Sequence, residues 1–216
     1  MLMLAVGRKL LCHTRSLTQG EWSKNTYLNS SFCLNNKLVG IVGGGNIGRQ
    51  VAAKVQVFGA QVQYYDAYRL PAGVEEGCRM TYVPLERLIE TSDIISLHVP
   101  LLDSTRHMLG EEELKRMKDG AIIINTARGG LVDDDALVRA VHAGKLAGAG
   151  LDGVEREPLP AGDPLLTEPN IIVTPHIGGG TADIGDVIMP MLVQDIQDFA
   201  AGREPAHVVN REFLAV

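Results

Sequence analysis

The 216-residue chain has few of the features that mark several protein classes. It has three cysteines, Cys12, Cys33 and Cys78, odd in number and scattered, so they form neither a disulfide framework nor a zinc-ligand spacing. A reducing compartment and a metal-free chemistry are therefore expected. No Lys/Arg run occurs and the net charge is −6, which argues against a general nucleic-acid surface. No apolar run approaches the ~20 residues of a membrane span. At the N-terminus, MLMLAVGRKLLCHTR places its apolar part before its basic part, the reverse of a secretory signal. Internal repeats and low-complexity segments are absent as well. What remains, 45% hydrophobic and 21% charged residues, fits a globular protein with a sizeable core.

The pattern that is present is an alternation. Apolar β-type runs at Leu38–Val42, Gln61–Tyr65, Asp93–Leu97, Ala121–Ile124, Leu146–Leu151 and Ile171–Val173 alternate with helical patterns. Several runs are apolar on both faces, as parallel strands covered by helices should be. The expected fold is α/β, a doubly wound (Rossmann) parallel sheet. Met3, Leu10 and Leu17 share a seven-residue spacing, which predicts an amphipathic helix at the start, followed by a polar connector over Thr18–Asn36. The last long helix is expected over Ala182–Ala201, kinked at Pro190 and stopped at Gly202. The organisation expected is residues 1–37 as helix and connector, 38–202 as the Rossmann domain and 203–216 as a return segment.

The stretch Leu38–Asp66 carries a binding function. A strand meets Gly43-x-Gly45-x-x-Gly48, a helix follows, and a second strand stops at Asp66. Gly43 allows the tight turn, Gly45 lets the backbone approach a pyrophosphate, and Gly48 permits close helix–strand packing. The phosphates would sit on N–H groups near Asn46 and Ile47. Asp66 can accept both ribose hydroxyls of adenosine and would repel a 2′-phosphate, favouring NAD over NADP, although Arg69 is near enough in sequence to soften that preference.

Three later segments put reactive groups at strand ends: Asn125–Gly130, Gly150–Pro158 and Thr174–Gly179. In an open parallel sheet these ends line the ligand crevice. Together with GGGNIG, LHVPLLDSTRHML, NTARGGLVDDDAL, LDGVEREP and TPHIGG, they make the whole chain resemble the D-isomer-specific 2-hydroxyacid dehydrogenases. The resemblance implies Arg128, Glu157 and His176 as a catalytic set. It implies Gly43, Gly45, Asn46, Ile47, Gly48, Asp66, His98, Thr126, Ala127, Asp152 and Gly178 around NAD. It also implies a small 2-oxo or 2-hydroxy acid as substrate, a homodimer and, by default, a cytoplasmic location. Gly153-Val154 departs from the bulkier Val-Phe pair common after that Asp, which puts the local packing in question.

The chemistry agrees with those assignments. Reducing a 2-oxo acid needs a cation for the carboxylate, a proton for the carbonyl oxygen and a hydride. Arg128 offers a planar fork for a carboxylate. His176 can exchange a proton near neutral pH, and Glu157 bonded to it would orient the ring and favour its protonated form. In the resembling family a substrate domain precedes the cofactor domain, whereas here the first strand starts at residue 38. The sequence thus reads as the cofactor half of a dehydrogenase. The alternative is an NAD-binding or regulatory module without catalysis, since fold alone does not fix function. His107, His142 and His207 read as surface residues.

Overall fold

The computed structural model describes residues 1–209 and Arg211; Asn210 and residues 212–216, part of the expected return segment, lie outside the described residues. Two compact units are present, Met1–His176 and a second one beginning at Ile177.

The first unit is built on a seven-stranded sheet: β1 (Leu38–Val42), β2 (Gln61–Tyr65), β3 (Thr81–Tyr82), β4 (Ile94–Leu97), β5 (Ala121–Asn125), β6 (Leu146–Leu151) and β7 (Ile171–Val173). The spatial order is β3-β2-β1-β4-β5-β6-β7, with every neighbouring pair parallel. The order reverses between β1 and β4, and the crevice beyond their carboxyl ends is where such sheets bind ligands. Six strands fall where the sequence predicts them to within a residue. The two-residue edge strand β3 was not predicted.

Helices cover both faces. Along β5, Ala121 and Ile123 enter one core with Leu88, Ile89, Leu114 and Leu137, while Ile122 and Ile124 enter another with Leu2, Val6, Ala52 and Val55. The first core lies under α5 (Leu85–Thr91), α6 (Glu111–Arg116) and α7 (Asp134–His142); the second lies under α1 (Leu2–Gly7) and α3 (Asn46–Val57). Strand side chains alternate between faces, so a strand apolar at every position is one buried on both sides. Completing the unit are α2 (Leu10–Thr18), α4 (Ala72–Cys78) and α8 (Pro164–Thr167). Among the described residues no helix is long and apolar enough to cross a membrane.

The N-terminal helix departs from expectation. It is two helices, broken at Lys9, whose backbone is left-handed (φ 52°). Lys9 is buried, and its ammonium donates to the Ala147 carbonyl and, at 2.8 Å, to Asn170 Oδ1. Those two acceptors sit more than 130 residues downstream, beyond the reach of a local pattern. The heptad fails with the break: Met3 is buried, but Leu10 and Leu17 are exposed. The second unit contains α9 (Ile184–Ala200), which runs on through Pro190; Gly202 follows it with φ +71°.

Candidate active site

The glycine turn at the end of β1 is shaped by contact as well as by torsion. Gly43 has φ +103°, a region open to glycine, and a Cβ there would lie 2.6 Å from the His98 carbonyl oxygen. A Cβ at Gly48 would lie 2.0 Å from the Gly43 carbonyl oxygen, so α3 starts jammed against the turn. A Cβ at Gly45, by contrast, would meet nothing within 4 Å. The backbone of Gly45, Asn46 and Ile47 therefore borders open space at the positive end of α3, where the first N–H groups have no partner within the helix. That is the cradle a pyrophosphate requires. Asp66, at the end of β2, accepts the Gly44 N–H at 2.7 Å with Oδ2 and the Tyr68 N–H at 3.1 Å with Oδ1. The acid is thereby fixed beside the turn.

Next to the turn is a pocket of about 370 Å³ lined by Ile47, His98, Val99, Pro100, Leu101, Thr126, Ala127 and Arg128. Five of the predicted residues meet in it. His98 Nε2 is 2.9 Å from Ser96 Oγ, and burial pushes the imidazole pKa down to about 4, so the ring is neutral at pH 7. Residues here fit the group the glycine turn implies: free backbone N–H groups at the helix start, apolar side chains, a neutral His98 and the cationic Arg128 line one pocket.

Two loops carry the remaining groups, and they interlock. Asn125 closes β5 and is 1% exposed. Its Nδ2 donates to the Arg128 carbonyl at 2.8 Å, its Oδ1 accepts from the Ala127 N–H at 3.1 Å, and its own carbonyl accepts from the Asp152 N–H at 2.8 Å. One buried amide thus sets the path of the arginine loop and ties it to the loop after β6. Gly129 lies flat against that second loop; a Cβ there would sit 1.8 Å from the Val154 carbonyl oxygen. A Cβ at Gly153 would lie 3.0 Å from the Gly129 nitrogen, so the departure from the bulkier pair falls at this seam.

The loop after β6 holds Asp152 and Glu157. Asp152 is buried and accepts from the Thr174 hydroxyl. Glu157 Oε1 accepts from the Val154 N–H at 3.2 Å, and Glu157 Oε2 is 2.9 Å from His176 Nδ1. The hydrogen bond from His176, then that from Val154, holds the Glu157 carboxyl below the ordinary carboxylate range. His176 follows β7 with φ +54°. A non-glycine residue in that region is uncommon and is a pointer to a functional position. Both side chains remain partly open, 48% for His176 and 41% for Glu157. Gly178 belongs to the second unit.

Several supporting groups were not singled out from sequence: Asn125 and Thr174, described above, and Asp134. Among the three acids opening α7, Asp133 is the N-cap, accepting the Ala136 N–H at 2.9 Å. Asp134 instead turns to the second loop and accepts the Glu155 N–H at 2.9 Å. Burial pushes its pKa up from 3.8 to about 6, against the opposing effect of that hydrogen bond. His107, read as a surface residue, pairs with the Glu155 carboxylate across the arginine loop while staying partly exposed. The sign of the Asp134 effect is testable. Because the folded state holds this proton more tightly than the unfolded chain, its contribution to stability falls as pH rises from about 4 to above 6. Asp134→Asn keeps an acceptor for Glu155 and should flatten that part of the Tm–pH curve relative to the parent. Parallel curves would show that Asp134 does not titrate in that range.

Residues 1–178 match the NAD binding domain of the D-isomer specific 2-hydroxyacid dehydrogenases. The chain belongs to this family. It is 39% identical over 217 residues to a glyoxylate reductase of Korarchaeum cryptofilum, covering 100% of this chain and 65% of the relative. It is 44% identical over 185 residues to a hydroxypyruvate reductase of Thermotoga maritima, covering 84% and 58% respectively. The structure of a D-lactate dehydrogenase with NAD+ from Lactobacillus jensenii superposes with a TM-score of 0.86 at 34% identity, covering 96% of this chain and 65% of that one. The chain thus spans 58–65% of the length of these relatives.

Proposed function

We propose that this chain supplies the cofactor site and the proton-transfer pair of an NAD-dependent dehydrogenase that interconverts a small 2-oxo acid and its D-2-hydroxy acid. The observation that carries the reading is the Glu157–His176 hydrogen bond of 2.9 Å, beyond the ends of β6 and β7, with Arg128 after the neighbouring β5 and the glycine turn after β1, two strands further along the sheet. NAD, when bound, supplies or accepts the hydride. The remaining work falls to side chains of the protein. Arg128 holds the substrate carboxylate with its fork and polarises the adjacent carbonyl. It now donates to its own loop, to the Ala127 carbonyl at 2.6 Å, and exchanges that bond for the substrate. With Nδ1 of His176 engaged by Glu157, Nε2 gives the proton to the carbonyl oxygen, or takes it from the hydroxyl in reverse. Glu157 keeps the ring oriented and offsets its charge. Asp152 would accept from the nicotinamide carboxamide, while Thr126, Ala127 and His98 would border the dinucleotide.

NADH oxidation with glyoxylate, hydroxypyruvate and pyruvate tests the reading. Consumption of NADH with at least one acid is expected, and clear NADH binding without turnover on any acid would favour the binding-module alternative. The cofactor assignment has its own check. Asp66→Ala should narrow the preference for NADH over NADPH by about tenfold, the worth of roughly 1.4 kcal/mol. An unchanged ratio would contradict its ribose role. We further infer a cytoplasmic homodimer, from the family resemblance; light scattering should give the mass of two copies, and a monomer would remove that part.

A further inference from the structure

We propose that Glu75 is a specificity-determining residue of the dinucleotide site: by clamping Arg69 it withholds from the adenosine ribose pocket the cation that a 2′-phosphate would need. The inference rests on the cofactor reading above and extends it to a residue outside the glycine turn. Arg69 lies three positions past Asp66, and the segment between them folds back on the turn. Asp66 binds the Gly44 N–H, and the Leu70 side chain lies 3.1 Å from where a Gly44 Cβ would be. A ribose held at Asp66 therefore has the Arg69 segment as a wall.

The guanidinium is already engaged. Its Nε donates to Glu75 Oε1 and its Nη2 to Glu75 Oε2, each at 2.9 Å, and it lies 5.1 Å from the centre of the Tyr82 ring. This is a two-pronged, charge-assisted pair backed by a cation–π contact. The acid is the fixed partner. The Glu75 side chain is only 12% exposed, against 62% for Arg69. Its Oε1 also accepts the Tyr64 hydroxyl at 2.6 Å, and that hydroxyl accepts the Leu70 N–H at 2.9 Å. The anchor is therefore tied into β2 and into the segment it controls. Hydrogen bonds from Arg69 and then Tyr64 hold the Glu75 carboxyl down at about 2, so it is ionised throughout the neutral range. Asp66 and Glu75 together outweigh Arg69 by one negative charge. That balance suits the two hydroxyls of NAD and disfavours a phosphate dianion. A freed arginine in the same place would present its fork to that phosphate.

Fluorescence titration of the chain with NADH and NADPH tests this without any turnover. Glu75→Gln keeps an acceptor for the Tyr64 hydroxyl but loses the charge that clamps Arg69. NADPH should bind about three- to tenfold more tightly to it, within reach of one screened charge-assisted contact, with NADH changed by less than about twofold. The gain should vanish in Glu75→Gln/Arg69→Ala and persist in an Asp66→Ala background. Arg69→Ala alone should leave NADPH affinity nearly unchanged, because the clamped arginine contributes little to begin with. The proposal is overturned if Glu75→Gln leaves NADPH binding as in the parent, if the gain survives loss of Arg69, or if Arg69→Ala by itself weakens NADPH strongly. A parent chain that binds neither dinucleotide would refute the cofactor reading itself, and this inference with it.

Discussion

Replacing His176 by Ala is expected to lower turnover by about 10²–10⁴-fold, the usual worth of a positioned acid–base group, while NADH affinity stays within about threefold. The asymmetry follows from where the residue sits. In the proposed cofactor site the phosphates rest on the backbone around Gly45 and the ribose on Asp66, after β1 and at the end of β2, whereas His176 follows β7. Its engaged partner is Glu157, not a group that borders the dinucleotide turn. Removing the imidazole therefore deletes the proton donor and leaves the cofactor site standing. The left-handed backbone at His176 sharpens the expectation, because Ala is no better suited than His to φ +54° and so gains little by relief of strain. Stopped-flow NADH oxidation together with NADH fluorescence titration separates the two quantities. Loss of NADH binding in parallel with turnover would make His176 a structural residue.

The second large effect is expected at a residue that touches no reactant. Gly129→Ala places a methyl group 1.8 Å from the Val154 carbonyl oxygen, and both partners are backbone. No side-chain rotation can relieve that contact, so the arginine loop or the Glu157 loop must move. Overpacking of this kind costs about 1–3 kcal/mol in stability. A displacement on the order of 1 Å between Arg128 and the Glu157–His176 pair should cost on the order of 10²-fold in kcat/KM. NADH affinity should fall by less than kcat/KM does, because the glycine turn and Asp66 lie away from the seam although Thr126, Ala127 and Asp152 are on the loops that shift. Thermal melting and steady-state kinetics on the same preparation read both terms. A variant that melts lower but keeps full kcat/KM would show that the seam between the loops serves stability alone.

How much of this was legible beforehand depends on the range of the interaction. Strands such as Ala121–Asn125 and Leu146–Leu151 announce themselves because burial on both faces leaves them without a polar side chain, Asn125 at the end of the first excepted. The Gly43–Gly48 turn and Asp66 are local and keep their order in the chain, and Arg128, Glu157 and His176 each sit at a strand end that the same pattern predicts. The short edge strand Thr81–Tyr82 has too few residues for any period. The break at Lys9 is set by acceptors on the far side of the chain. Asn125, Asp134 and the clamp between Glu75 and Arg69 are of the same kind. Their residue types are ordinary for a strand end, a helix start and a surface loop, and their roles come from partners that only the folded chain brings near. His107 is exposed, as the sequence suggests, and only the Glu155 carboxylate opposite it had no sequence signal.

The central claim is that cofactor, carboxylate-binding arginine and proton-transfer pair act together on a 2-oxo acid. It is tested most directly by incubating the protein with NADH carrying deuterium at both C4 positions of the nicotinamide and glyoxylate, hydroxypyruvate or pyruvate, then analysing the product by chiral chromatography and mass spectrometry. The account predicts a 2-hydroxy acid carrying one deuterium at C2, of D configuration wherever that carbon is a stereocentre. An L product, an unlabelled product, or bound NADH with no acid converted would contradict it.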